Sequence, residues 1–218
     1  MGEKFHRELA RLEANVLEMG ELASSMLRES LHALESLDAS VAEKVIAREK
    51  RIEEMDESIE DEALKLIALY QPVARDMRTI ASSLKMITYI TRIGKYAKDI
   101  SVHVRELELK RKVRRNNAKK LFKMAKLVSG MVEDALSAYR NRDVSELSGF
   151  KKRDDEVDRL FAGFFTECEK TSEKECGAVT LCIDHLMIAR YLERCGDHAC
   201  KMAEKVYYMV TGERMKVS

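Results

Sequence analysis

Apolar side chains recur every third or fourth position along almost the whole chain, the spacing that places them on one face of an α-helix. Leu9, Leu12, Val16, Met19, Ala23, Met26, Ser30 and Leu34 hold this pattern for about seven turns and predict a first long helix. Asp38 followed by Ser40 is a turn and N-cap signal. After it, Val45, Ile52, Ile59, Leu66 and Leu69 carry a second helix to Tyr70. Gln71 and Pro72 predict a tight corner, because proline has no amide hydrogen with which to continue a helix. Met77, Ile80, Leu84, Ile87, Thr91 and Gly94 then line one face of a third helix running to residue 109. Three long helices with short joins predict an antiparallel bundle.

The pattern breaks at residues 110–120, KRKVRRNNAKK, with seven basic positions and two asparagines, as a solvated surface connection does. Beyond it the same text resumes. Offset by 105 residues, Met19 pairs with Met124, Leu22 with Leu127, Ser24 with Ser129, Met26 with Met131, Leu31 with Leu136, Ala33 with Ala138, Asp38 with Asp143, Ser40 with Ser145 and Arg48 with Arg153. Chance supplies roughly two such identities in that window. Offset by 102, Leu84 pairs with Leu186, Tyr89 with Tyr191, Arg92 with Arg194, Gly94 with Gly196 and Ala97 with Ala199. The chain is therefore expected to be all-α, two tandem three-helix bundles related by an internal pseudo-repeat. The expected boundaries are 1–109 for the first bundle, 110–116 for a basic linker and 117–212 for the second.

Composition agrees with long helices bearing charged outer faces: 35% charged and 45% hydrophobic residues, one proline, nine glycines and no tryptophan in 218 residues. Thirty-nine Lys and Arg nearly cancel 38 Asp and Glu, so net charge selects neither nucleic acid nor an anionic membrane as partner. No apolar run reaches the roughly 18 to 20 residues that span a bilayer, and MGEKFHRELARLE is charged from its third residue, so a cytoplasmic location is expected. The five cysteines, Cys168, Cys176, Cys182, Cys195 and Cys200, are odd in number and without CxxC spacing, which predicts reduced thiols.

The repeat also supplies a comparison within the chain. ERCGD at 193–197 lies over TRIGK at 91–95, acidic where its twin is not. Glu193 and Asp197 stand one turn apart on one helix face; Asp154 and Asp158 repeat the spacing on the preceding helix, with Asp155 adjacent. If these pairs face one another, four negative charges meet in a partly apolar groove, and raised pKa values or bound cations must relieve them. Carboxylate-rich sites suit iron, manganese, magnesium or zinc. In the first copy the equivalents are Glu49, Glu53, Thr91 and Lys95, where Lys95 can neutralise a carboxylate, so a salt bridge is expected there in place of a metal cluster. Acid pairs at this spacing also occur on solvated faces, as Glu53 with Glu57 does. Gly94 and Gly196 at equivalent helical positions point to close helix approach, since glycine in a helix interior costs about 1 kcal/mol. Cys182, Cys200 and Glu204 fall near the face of Glu193 and Asp197; Cys200 is a candidate thiolate ligand, with core filling as the competing reading. His198 lies off the acidic face, which favours an interface or surface role.

The enzymatic alternative rests on EKFH (3–6) and ESLH (29–32), which match the ExxH spacing of carboxylate-bridged di-iron oxidases. Both fall on one predicted helix, roughly 39 Å apart, whereas such a centre needs them on facing helices. No Ser-His-Asp order or Gly-rich phosphate loop appears. A metal-free helical interaction scaffold is the other alternative.

Three segments, QPVARDMR at 71–78, TRIGKYAKDI at 91–100 and LERCGDHACKMAE at 192–204, together with the duplication, resemble the PhoU family of phosphate-uptake regulators over essentially the whole chain. The resemblance implies two three-helix bundles carrying E(D)xxxD motifs that bind multinuclear metal clusters of iron or zinc. It points to Asp154, Asp158, Glu193 and Asp197 as ligands, with Asp155, Cys200, Glu49 and Glu53 as additional or vestigial ones. It further implies a cytoplasmic regulator, not an enzyme and not a nucleic-acid binder, that restrains phosphate uptake and phosphate-starvation signalling. Its implied partners are the ATPase subunit of the phosphate ABC transporter, through which it reaches the membrane, and a sensor kinase; a homo-oligomer is a candidate assembly. Two departures stand out. TRIGK replaces the family's ERIGD, so a cluster is expected only in the C-terminal half, and Cys195 and Cys200 replace residues usually apolar or hydroxylic.

Overall fold

A computed structural model describes residues 2–109, 115–172 and 179–217. It contains seven α-helices among the described residues: α1 (Gly2–Ser36), α2 (Ala39–Ile46), α3 (Glu49–Tyr70), α4 (Ala74–Leu109), α5 (Arg115–Asn141), α6 (Phe150–Ser172) and α7 (Val179–Thr211). A 3-10 turn, Ser145–Gly149, precedes α6. The first bundle is α1, α2 with α3, and α4; the second is α5, α6 and α7. No described helix is long and apolar enough to cross a membrane. Residues 110–114 of the basic connection, and Cys176, lie outside the described residues.

The two copies are built by the same local chemistry. Leu37 (φ 53°) and Arg142 (φ 52°), equivalent in the repeat, close α1 and α5 in the left-handed region. The next residue then bonds back, Asp38 N–H to Ala33 O (3.1 Å) and Asp143 N–H to Ala138 O (3.3 Å). Asp38 next accepts the Ser40 amide (2.8 Å) and Asp143 the Ser145 amide (2.9 Å), each satisfying an amide at the start of the following helical segment.

The expected single helix from Ser40 to Tyr70 is two, broken at Ala47–Arg48. Arg48 N–H turns tightly onto Val45 O (3.0 Å), and its guanidinium reaches back to Glu29 on α1 through both nitrogens. The break lets Ala42 and Val45 on one segment and Ile52, Met55 and Ile59 on the other enter one core. Arg153 with Asp134 (2.5 Å) is the same pair in the second copy.

At the α3–α4 corner Gln71 adopts φ 49°, its N–H bonding Ile67 O (3.1 Å), and Ala74 adopts φ 45°. Here the periodicity overreached, for Leu69 and Met77, expected on buried faces, are exposed together with Val73.

The bundles meet along two seams, α1 on α5 and α4 on α7. Along the second, Tyr89, Tyr96 and His103 recur once per heptad and face His198, Tyr191 and Asp184 in reverse order, so α4 and α7 run antiparallel. The α1–α5 seam is drawn close at Gly20, where a Cβ would stand 2.4 Å from Leu136 Cδ2.

Candidate metal centre

Asp154 and Asp158 rise from the first three turns of α6, and Glu193 and Asp197 from the middle of α7, which packs against it. Asp154 is buried, at 7% exposure. Burial raises its pKa, the Cys200 thiol that donates to it lowers it, and the charges of Asp158, Asp197 and Asp155 raise it again. Asp158 is raised by burial, then by Asp197 and Asp155. Glu193 is raised by burial, then by Asp197, against the opposing pull of Arg190 and Arg194. Burial and the neighbouring charge of Asp197 thus penalise the charged forms of Asp154, Asp158 and Glu193.

Hydrogen bonding leaves that penalty partly unrelieved. Glu193 Oε1 accepts from Arg190 Nη1 at 2.9 Å, but its Oε2, 3.9 Å from Arg194 Nε, is buried with no hydrogen-bond partner. Asp155 points outward to Lys151 (3.1 Å) and is removed from the cluster it neighbours in sequence. Cys200 is buried, and its thiol is pushed upward by burial first and by Asp154 second, so it stands protonated beside that carboxylate. Cys195 is fully buried and its thiol is likewise raised by burial. The four described cysteines are free thiols.

The first copy holds the same positions with opposite charges. Lys95 Nζ lies 2.7 Å from Glu53 Oε1, and Lys98 Nζ lies 3.2 Å from Glu49 Oε1. Lys95 holds the Glu53 carboxyl below its ordinary range. The repeat places Lys98 over Cys200, so the pairs Glu49–Lys98 and Glu53–Lys95 stand where Asp154–Cys200 and Asp158–Asp197 stand in the second copy. Lys98 was missed in the sequence although the 102-residue offset identifies it. Each acid of the first copy has its own cation; in the second, Glu193 has Arg190, while Asp154, Asp158 and Asp197 have no ion pair among the described residues.

Gly94 and Gly196 differ in what they permit. A Cβ on Gly94 would meet Ile52 Cγ1 at 3.1 Å, whereas one on Gly196 would find Val128, Val157 and Asp154 at 3.7–3.8 Å, ordinary contact. Close approach therefore explains Gly94 and not Gly196. Replacing a helix-interior glycine by alanine recovers up to about 1 kcal/mol, so Gly196→Ala is expected to raise the thermal midpoint more than Gly94→Ala, by circular dichroism melts.

The histidines fall elsewhere. His198 stacks between Tyr89 and Tyr96 (5.8 Å each) on the α4–α7 seam, and burial lowers its pKa to about 4, with Arg92 and Arg194 adding to the effect. His185 is buried with Nδ1 unpartnered, its pKa lowered by burial. His6 and His32, of the two ExxH matches, sit on the single helix α1. Among the described residues the one trio of donors lying within 4.8 Å of one another is His103, Glu106 and Asp184, at the far end of the same seam, with His103 Nδ1 3.2 Å from Asp184 Oδ1. That trio unites residues the sequence reading left unassigned.

Comparisons with known proteins agree with this architecture. The PhoU domain family profile matches the chain twice, at residues 16–104 and 121–206. A phosphate-specific transport system accessory protein PhoU homolog of Clostridium acetobutylicum is 31% identical over 215 residues, 98% of this chain and 97% of that protein. Its namesake in Caulobacter vibrioides is 33% identical over 214 residues, 97% and 91% of the two chains. The crystal structure of PhoU from Pseudomonas aeruginosa superposes with a TM-score of 0.92 at 27% identity, covering 96% of this chain and all of that one. The phosphate transport system regulatory protein PhoU from Streptococcus pneumoniae gives 0.87 at 26% identity, covering 97% and 99%.

Proposed function

The chain belongs to the PhoU domain family, and from that premise we propose that it restrains phosphate uptake as a metal-binding helical adaptor of a phosphate-specific transporter. The relatives are named accessory and regulatory proteins of phosphate transport, and the chain is read with them as a regulator of phosphate uptake and not as an enzyme. The finer reading is a cytoplasmic protein that docks on the ATPase subunit of the transporter, reaches the membrane only through it, and passes its state to a sensor kinase. The proposed domain division is 1–109 and 117–212 about the basic connection.

The observation that carries the metal assignment is the set of acids between α6 and α7, of which Glu193 has an ion pair and Asp154, Asp158 and Asp197 have none among the described residues. A buried Asp154 whose hydrogen-bond donor is a thiol, and a buried Glu193 oxygen with no donor, are what a cation satisfies. Asp154, Asp158, Glu193 and Asp197 would hold iron or zinc, with Cys200 beside Asp154 and Asp155 at the rim. Bound cations would neutralise the carboxylates and brace α6 against α7. Glu49 and Glu53 are the vestigial counterparts, with Lys95 replacing the metal of the first site. The His103, Glu106 and Asp184 trio supports a second reading, in which a single cation sits at the α4–α7 seam.

The function is tested in cells deleted for this chain, by uptake of labelled phosphate when phosphate is abundant. Uptake is expected to rise, to fall again when the chain is restored, and the restored chain to capture the transporter's ATPase subunit. Unchanged uptake with consistent capture of a different partner would replace the transport reading by that of a generic scaffold.

A further inference from the structure

The α4–α7 seam ends differently at its two poles. At one, His103 faces Asp184 beside Glu106. At the other the repeat substitutes Ser82 for Asp184 and Lys205 for His103, and the chain that follows α7 folds over the gap between them. Gly212, at φ 80°, reverses the backbone, its N–H closing on Tyr208 O at 2.9 Å. The Val217 amide then donates to Glu204 Oε1 at 3.1 Å, pinning the segment back on α7. Between α4, α7 and this segment lies a cavity of about 450 Å³.

Four cationic side chains line that cavity: Lys85 from α4, Lys205 from α7, and Arg214 and Lys216 from the returning segment. Arg214 lies over the Tyr208 ring at 6.0 Å. None of the four has a carboxylate within salt-bridge distance among the described residues, in a protein whose cations are otherwise widely paired. The one acid at the cavity, Glu204, is already taken by Lys201 (3.1 Å) and the Val217 amide. Beneath the cations, Ser82 lines the cavity at 2% exposure, and its hydroxyl is buried without a hydrogen-bond partner. One turn before it, Arg78 Nε is a second buried donor without an acceptor, under Gly212. Burying a hydroxyl without a partner costs about 1–3 kcal/mol, so an orphan at the floor of a cavity marks a place where an acceptor belongs.

We propose that this cavity is an oxyanion site that takes a phosphoryl-type group, held by Lys85, Lys205, Arg214 and Lys216 with the Ser82 hydroxyl donating from its floor. Lysine ammonium groups act as point charges on such a group, and the arginine adds a planar fork of donors. The returning segment supplies two of the four cations, so an anion bound there ties residues 214–216 to α4 and closes the basic pole of the seam. The site lies at the α4–α7 seam and is built from elements other than α6.

The test is calorimetric titration of the full chain with inorganic phosphate, sulfate and ATP at constant ionic strength, in chelator. Saturable binding is expected. A preference for inorganic phosphate identifies the free anion as the source, and a preference for ATP identifies a phosphoryl group carried on a nucleotide. Lys205→Glu with Lys216→Glu is expected to weaken binding at least tenfold and Ser82→Ala several-fold, with helical content unchanged. Lys50→Glu, a control on the exposed face of α3, should leave affinity as it was. Absence of saturable binding by all three probes would overturn the proposal, as would an equal loss in Lys50→Glu, which would reduce the effect to net charge.

Discussion

In metal-free protein, the gain in thermal midpoint of Asp158→Asn with Asp197→Asn over the unsubstituted chain is expected to be larger at pH 7.5 than near pH 5, and added iron or zinc should raise the pH 7.5 midpoint of the unsubstituted chain. The sign follows from the acids of α6 and α7. Asp154, Asp158 and Glu193 have folded pKa values raised above the ordinary carboxylate range, by burial first and neighbouring charge second. A raised carboxylate binds its proton more tightly when folded, so its contribution to stability falls as pH rises from the unfolded to the folded pKa, and the whole penalty is present at neutral pH. His198, held at about 4, and His185, lowered by burial, act in the same window with the opposite sign, since they stay neutral in the fold while their unfolded counterparts take up protons below 6.5; the comparison between variant and parent cancels them. The depressed carboxylates act lower. Glu29, held down by Arg48, and Glu156, held at about 2 by Arg159 and Lys123, contribute stability that is lost only as pH falls through their depressed values. Between neutrality and pH 5 the difference between variant and parent therefore reports the raised acids. Because they are partly solvent-screened, relieving them is worth about 1 kcal/mol, or roughly 2–4 °C in a chain of this size. A cation achieves the same relief without protons: at a hundred times its dissociation constant it adds about 2.7 kcal/mol. In Asp158→Asn with Asp197→Asn, the metal-free midpoint at pH 7.5 should rise and the response to metal should vanish. His103→Ala should keep that response. Loss of the metal response in His103→Ala alone would move the site to the trio with Glu106 and Asp184.

What the sequence revealed divides by the range of the interactions responsible. Helical periodicity and the caps at Asp38 and Asp143 are local, and they are readable because they depend on residues a few positions apart. The break at Ala47–Arg48 was not readable, since neither proline nor glycine marks it, and apolar spacing could not show that Leu69 and Met77 point to solvent. At the acidic site, the repeat identified Asp154, Asp158, Glu193 and Asp197 as one constellation, and their mutual electrostatic influence agrees with it. It did not show that Arg190 takes one oxygen of Glu193 or that Lys151 draws Asp155 outward, both of them pairs within one turn whose rotamers depend on what lies opposite. The seam was the largest omission. Tyr89, Tyr96 and His103 on α4, with Asp184, Tyr191 and His198 on α7, are each spaced by a heptad, and only the knowledge that these helices face each other makes the two series one interface.

Tyr139→Ala is expected to destabilise the protein by about 3–5 kcal/mol, the range for removing a large buried aromatic side chain, and to lower the thermal midpoint by roughly 10 °C. Tyr139 is 1% exposed on α5, and its hydroxyl meets Ser83 Oγ on α4 at 2.6 Å, so it fills the core of one bundle and is fastened to a helix of the other. Burial raises the phenol pKa, which keeps the hydroxyl neutral and able to donate. Tyr139→Phe separates the two roles. Ser83 can still donate to Thr79 O at 2.8 Å, so loss of the inter-bundle bond strands no donor and should cost only about 0.5–1.5 kcal/mol. Chemical denaturation read by circular dichroism and by calorimetry gives both values. One transition with an unchanged denaturant slope in Tyr139→Ala would show that the seam and the cores unfold together. Two resolved transitions would show that each three-helix unit folds alone, with Tyr139 acting chiefly as a clasp. The first result is expected, because α4 and α7 each supply apolar side chains to their own bundle and a stacked face to the seam, so neither bundle can lose its partner without exposing part of its third helix.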